Sequence, residues 1–179
     1  MVYVFLAEGF EEVEALTPVD VLRRVGLEVK TVGVNSANVT GVHNITVAAD
    51  ITADELTKEN LEAIVLPGGM PGTLNLEKSP IVQEYIDYAV EHDLFVCAIC
   101  AAPSILGHKN LLEGRSATCF PGFEKDLYGA RYTGEPAVAD GKFITGKGAG
   151  AAMEFALLIA EKMCGREISE GTRKSLQCP

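Results

Sequence analysis

Phe95-Val96-Cys97-Ala98-Ile99-Cys100-Ala101-Ala102-Pro103 decides how this chain reads. It begins as a short apolar run of strand type. It then turns, without a linker, into Ala101-Ala102-Pro103-Ser104-Ile105-Leu106, which reads as the first turns of a helix. Pro103 suits a first helical turn, where its missing N–H leaves no hydrogen bond unmade. Cys100 therefore falls at a strand-to-helix junction, with Ala98 and Ala102 two residues away on either side. A nucleophile elbow needs that arrangement: a tight turn, small neighbours, and a side chain pushed out over the end of the sheet. A helix beginning at Ala101 also aims N–H groups and a positive dipole end at the sulfur, and both favour thiolate. A small buried cysteine in a packed βα turn would have the same sequence, so this stretch alone leaves the two readings even.

Upstream, Val2 to Ala7 is a near-continuous apolar run, expected as a strand covered on both faces. After the turn Glu8-Gly9-Phe10-Glu11, apolar residues recur at helical spacing from Glu12 to a C-cap at Gly26, with a kink or break expected at Pro18. Leu27 to Val34 and Leu61 to Leu66 read as further strands, and Val42 to Ala49 as an extra strand or half a hairpin. Asp54 to Asn60 reads as a short polar helix or turn, and Pro80 to His92 as an amphipathic helix. Downstream of the elbow, Ser116 to Cys119 is expected as a strand and Pro121 to Leu127 as a helical turn. Ala137 to Thr145 reads as a hairpin around Asp140-Gly141. Ala151 to Met163 is a buried-type helix, and Arg166 to Pro179 a polar tail with room for a last short helix.

Strand and helix alternate along the whole chain. That implies a single α/β domain over residues 1–179, with a mostly parallel sheet between two helical layers. Sites in such sheets lie beyond the carboxyl ends of the strands. Three turns belong there: Glu8–Glu14, Pro67–Gly72 and Cys100–Pro103. The pair Gly68-Gly69 lets backbone approach a reacting group and, with the N–H of Ala101, offers an oxyanion hole. One of Glu8, Glu11, Glu12 and Glu14 is placed to reach the sulfur, while two or three form a solvated acidic helix start.

Composition narrows the class. Of 179 residues, 47% are hydrophobic and 22% charged, enough for a full core. No apolar run nears the ~20 residues of a membrane span, and Met1-Val2-Tyr3-Val4 lacks the basic region of a signal peptide. The expectation is a soluble, cytoplasmic protein. Its five cysteines are not spaced as a disulfide framework, and Cys97-Ala98-Ile99-Cys100 places one cysteine inside the strand, unlike a redox pair. A net charge of −10 with no basic stripe argues against a nucleic-acid surface. Gly146-Lys147-Gly148-Ala149-Gly150 is neither a Walker loop nor a dinucleotide fingerprint. His43, His92 and His108 are scattered and read as surface residues, so neither metal nor cofactor is expected.

Three motifs together resemble the ThiJ/PfpI superfamily, in the branch of the Parkinson-associated deglycase and its bacterial YajL relatives. They are Ala7-Glu8-Gly9-Phe10-Glu11-Glu12-Val13-Glu14, Leu66-Pro67-Gly68-Gly69 and Ala98-Ile99-Cys100-Ala101-Ala102-Pro103. Gly148-Ala149-Gly150 and Glu154-Phe155-Ala156 are similar to its C-terminal motif. The resemblance implies a flavodoxin-like three-layer sandwich and a homodimer. It implies Cys100 as the reactive, oxidisable cysteine, Glu14 as its carboxylic-acid partner, Gly69 and Ala101 as backbone donors, and Arg24 near the dimer interface and site. It implies action on small reactive aldehydes or glycated protein and nucleotide groups, as a glyoxalase or deglycase. The alternatives are a redox sensor or chaperone without turnover, and a PfpI-like peptidase. Phe120 stands where several members carry a histidine, which removes that Cys–His pair and weakens the peptidase reading.

Overall fold

A computed structural model describes residues 1–179. Its seven-stranded sheet runs β10-β11-β7-β6-β1-β2-β5. In chain order the strands are β1 (Val2–Leu6), β2 (Val29–Gly33), β3 (Asn38–Thr40), β4 (Thr46–Ala48), β5 (Ile51–Thr52), β6 (Ala63–Leu66), β7 (Phe95–Ile99), β8 (Ser116–Ala117), β9 (Arg131–Tyr132), β10 (Ala137–Asp140) and β11 (Phe143–Gly146). The helices are α1 (Glu12–Arg24), α2 (Gly72–Lys78), α3 (Pro80–Glu91), α4 (Pro103–His108), α5 (Ala152–Cys164) and α6 (Arg166–Ser175). Every pair in the main sheet is parallel except β10–β11.

The period-2 geometry of strands sorts the core. Tyr3 and Phe5 of β1 face the layer holding α3 and α4, with Ile64, Leu66, Val96 and Ala98 beside them. Val2, Val4 and Leu6 face α1 and α5, with Val65, Cys97 and Ile99. Both faces are therefore covered, as the unbroken apolar strands demand. The expected flavodoxin-like sandwich is what the chain adopts.

Several details differ from the expectation. Helix α1 runs unbroken through Pro18, which leaves the Glu14 carbonyl without the N–H that position 18 would have supplied. Val42–Ala49, by contrast, is half a hairpin as expected: it holds the second arm of the β3–β4 hairpin, off the main sheet. The strand at Ser116 is only two residues long and pairs with β9, away from the main sheet. The expected helical turn is a single 3-10 turn, Glu124–Asp126. In the β10–β11 hairpin Asp140 faces Phe143, so Gly141-Lys142 makes the turn, with Gly141 at φ +61°. Helix α2 has no apolar periodicity to announce it; it follows directly from the Pro67–Gly72 turn.

Candidate active site

The elbow is real, and it is strained. Cys100 has φ +67°. The other positive-φ residues that are not glycine are Asn44, Asn60, Asp93, Asn110 and Gln177. Four of those are Asn or Asp, which tolerate this region; a cysteine does not gain the same local hydrogen bonds. Such a conformation costs roughly 1–3 kcal/mol and persists only where its surroundings dictate it. Here they do: Cys100 N–H donates to Gly146 O at 2.9 Å, and Cys100 O accepts from Phe120 N–H at 2.8 Å. Ala98 and Ala102 are wholly buried on either side. The helix starts at Pro103, not Ala101, and is only six residues long. Its dipole is a smaller influence on the sulfur than the sequence implied. Single N–H groups matter more: those of Ala101 and Gly69 both hydrogen-bond the Cys100 thiol.

The three turns converge as expected. Glu11 N–H donates to Gly68 O at 2.9 Å, and Gly72 N–H donates to Gly9 O at 3.1 Å. Packing is so close that only glycine fits at two positions. A β-carbon on Gly69 would lie 2.5 Å from both Glu11 N and Gly9 O, at φ +89°. One on Gly68 would lie 2.6 Å from Glu14 Oε2, 2.6 Å from Cys100 Cβ and 3.1 Å from Cys100 Sγ. Glu14 and Cys100 thus press against one point from two sides. Glu14 is 1% exposed, and its Oε2 accepts from Gly68 N–H at 2.9 Å.

Burial pushes the Glu14 carboxyl up to about 7, with the charge of Glu11 adding to the rise and hydrogen bonds from Cys100 and Gly68 opposing it. Burial, then the charge and hydrogen bond of Glu14, push the Cys100 thiol up to about 12, against the pull of the two backbone N–H groups. The expectation of a thiol below its ordinary value is therefore corrected: desolvation and a like charge outweigh the donors. The two groups behave as one pair. It sheds a first proton near 7 and holds the second until about 12. Between those values thiolate exists to the extent that the shared proton sits on Glu14. With Oε2 engaged by Gly68, Oε1 is the oxygen free to carry it.

This raised carboxyl has a consequence for stability. The folded-state value near 7 exceeds the ordinary 4.5. The folded protein binds more protons between those limits, so stability falls as pH rises from about 4.5 through 7 and stays reduced above. Glu14→Gln keeps an oxygen for Gly68 N–H and carries no charge. It is expected to be more stable than the native protein at pH 8, by about 1–3 kcal/mol, with the advantage vanishing near pH 4. Urea unfolding at both pH values measures it; equal stability at pH 8 would contradict the buried-charge account.

The other three acidic residues of the turn divide two to one. Glu8 is exposed and Glu11 half-buried, but Glu12 is 4% exposed. Its carboxylate accepts His43 N–H at 2.8 Å and lies 2.9 Å from His43 Nδ1, pinning the loop after β3 to the start of α1. His43 is exposed, as expected of a surface residue, and is also paired with Glu12. Sequence spacing could not show this, because the partners are far apart in the chain. Arg24 is not brought to the sulfur. It lies ten residues beyond Glu14, about 15 Å along the helix axis, and pairs with Asp20 at 2.8 Å. All five cysteines are free, Cys97 included. Beside Cys100 and Glu14, Phe120, Pro121, Lys147 and Gly148 line a cavity of about 560 Å³. A β-carbon on Gly148 would be 3.2 Å from the Phe120 ring and 4.0 Å from Glu14 Oε1, so the cavity adjoins the pair. The sequence marked Phe120 only as an absent histidine; the structure makes it a wall.

The profile of the DJ-1/PfpI family matches residues 1–162. The chain belongs to the DJ-1/PfpI family. It is 32% identical over 176 residues to the protein dj-1beta of Drosophila melanogaster, covering 97% of this chain and 94% of that one. It is 30% identical over 170 residues to a glutathione-independent glyoxalase of Caenorhabditis elegans, covering 94% and 91%. Among solved structures, a cysteine-to-alanine mutant of a DJ-1 superfamily protein from Salmonella typhimurium superposes with a TM-score of 0.93 at 34% identity, covering 99% and 98%. No helix of this DJ-1/PfpI chain is long and apolar enough to cross a membrane.

Proposed function

We propose that this protein is a cysteine-dependent glyoxalase or deglycase acting on α-oxoaldehydes of the methylglyoxal type or on their early adducts. The observation that carries the reading is the strained Cys100 elbow facing a protonatable Glu14 across Gly68. The relative named as a glutathione-independent glyoxalase supports the substrate class. The sulfur adds as thiolate to the aldehyde carbon while the shared proton rests on Glu14. Gly69 and Ala101 N–H groups, already aimed at the sulfur, are placed to receive the oxyanion. That oxygen then takes the Glu14 proton. The freed carboxylate removes the hydrogen on the same carbon and returns it to the neighbouring carbon, while the proton on the adduct hydroxyl passes to the neighbouring carbonyl oxygen, converting the adduct to a thioester of the 2-hydroxy acid. One water hydrolyses the thioester, releasing the acid and restoring the thiol. On an early adduct the leaving group is the amine or thiol that carried the aldehyde.

Time-resolved product analysis with methylglyoxal, and separately with a glycated thiol, tests this against Cys100→Ser. Lactate release by the native protein alone, without added glutathione, is the expected result. Its absence with both substrates would leave the redox-sensor reading, in which Cys100 is oxidised to a sulfinate held by protonated Glu14. Nothing favours the peptidase reading: the groups acting on the Cys100 thiol are Glu14, Ala101 and Gly69, with no imidazole among them.

The functional unit is proposed to be a homodimer. Helix α1 exposes Val13 and Leu16, and Ile45, whose N–H lies 3.5 Å from Glu12 Oε1, exposes a third apolar side chain beside them. Arg24 stands at the far end of that helix, away from Cys100 of its own chain, and its proposed place is at the contact between copies. Sedimentation at micromolar concentration is expected to show two chains; a mass of one 19.1 kDa chain would contradict it.

A further inference from the structure

At the opposite end of the sheet from Cys100, an acidic protein gathers cations around an apolar cleft. Phe95 and Phe143, the first residues of β7 and β11, line a cavity of about 480 Å³. The Arg115 guanidinium lies 4.7 Å from the centre of the Phe143 ring, and Lys142 Nζ lies 4.3 Å from that of Phe95. Lys162, from α5, lines the same cavity. A smaller cavity of about 200 Å³ shares Phe95, Lys142 and Lys162 with it, so the two form one groove.

The charges there are not cancelled. Arg115, Lys142 and Lys162 face two lining carboxylates: Asp93, which is 85% exposed and 3.8 Å from Lys142, and Glu62, which is paired with the Met1 ammonium. A further carboxylate, Asp140, stands 3.7 Å from Arg115 but is shared with Arg131 at 3.9 Å and with Ser116 N–H. No carboxylate lies within 4.0 Å of Lys162 Nζ. Arg115 is also held in place, donating from Nε to Leu111 O at 3.2 Å. In a chain of net charge −10, a local excess of cations over low-dielectric walls concentrates anions there. The reaction at the elbow has no use for these groups, since β7 separates Phe95 from Cys100 by five residues, about 17 Å.

We propose that this cleft binds a small organic dianion, a phosphate monoester whose apolar or aromatic body lies against Phe95 and Phe143. A pre-positioned guanidinium suits two phosphate oxygens, while the two lysines act as point charges. The rings take the carbon body, which a free inorganic ion lacks.

The test follows backbone amide NMR signals of the native protein during titration with phenyl phosphate, inorganic phosphate, phenylacetate and benzylamine. Phenyl phosphate is expected to move the signals of Phe95, Gly141, Lys142 and Phe143, with a Kd of about 1 mM or tighter. Inorganic phosphate and phenylacetate should bind several-fold more weakly, and benzylamine not at all. Arg115→Gln combined with Lys142→Gln should weaken phenyl phosphate about tenfold or more. The surface pair Lys142→Gln and Lys162→Gln provides the same test without disturbing the Arg115 packing. Failure of those four signals to move up to about 10 mM, shifts confined to the Cys100 turn, or unchanged affinity in both double variants would each overturn the site. Equal affinity for inorganic phosphate would overturn the organic body, and equal affinity for phenylacetate the dianion.

Discussion

Cys100→Ala is expected to lower methylglyoxal turnover by on the order of a thousandfold or more, as removal of a nucleophile does. The fold should survive. Alanine is smaller, and the hydrogen bonds holding the elbow are made by the backbone of residue 100. Removing the sulfur also removes a hydrogen bond that holds the Glu14 carboxyl down, so that carboxyl should rise further above 4.5. Cys119→Ala is the control. That thiol is fully buried, and burial, with the charges of Glu124 and Asp126, pushes it up to about 12. No backbone donors are aimed at it, so its replacement should leave turnover within a few-fold. Comparable lactate release from the Cys100→Ala protein, with an unchanged circular dichroism spectrum, would remove Cys100 from the reaction.

The second large effect belongs to Glu14. Native thiolate absorbance is expected to rise in two steps, a partial one near pH 7 as the pair loses its first proton and the rest toward 12. Glu14→Leu removes both the charge and the proton acceptor. Its thiol should titrate in a single step, held above the ordinary 9.0 by burial and below 12 by the loss of its like-charged neighbour. The step near 7 disappears. Glu14→Gln retains an amide donor to the sulfur, so its single step should lie lower than that of the leucine variant, by about one unit or 1.4 kcal/mol. Both variants lose the proton carrier, and turnover should fall on the order of a hundredfold or more in each. Alkylation of the thiol near neutral pH should slow most in Glu14→Leu. An unchanged titration curve in Glu14→Leu would reduce Glu14 to a buried helix-start carboxylate and leave the proposed mechanism without its proton carrier.

Legibility differed between fold and site for physical reasons. Unbroken apolar strands alternating with helical spacing announce a parallel sheet covered on both faces, and Val2–Leu6, Ala63–Leu66 and Phe95–Ile99 lie where that pattern puts them. Pattern failed where tertiary contact overrides propensity. Pro18 reads as a break, yet α1 continues because its buried face, Val19, Val21 and Leu22, is held against the sheet and α5. Gly72–Lys78 carries little apolar signal, yet Leu76 is buried on the sheet and the turn before it is tied to Gly9.

By itself the sequence determined the layered α/β fold, the elbow at Cys100 and the meeting of three turns at one sheet end, because each follows from local geometry and strand order. Local pattern left open which carboxylate meets the sulfur; the family resemblance pointed to Glu14, and the tertiary structure is what brings it there. Glu8, Glu11, Glu12 and Glu14 are chemically alike and adjacent, and the direction in which α1 leaves its turn sends Glu14 under Gly68 and Glu12 under the His43 loop. The proton balance of the pair is likewise tertiary, since desolvation depends on everything packed around it. So is the cationic cleft: Arg115, Lys142 and Lys162 are scattered in the sequence and become neighbours only when the residue before β8, the β10–β11 turn and α5 assemble around the start of β7.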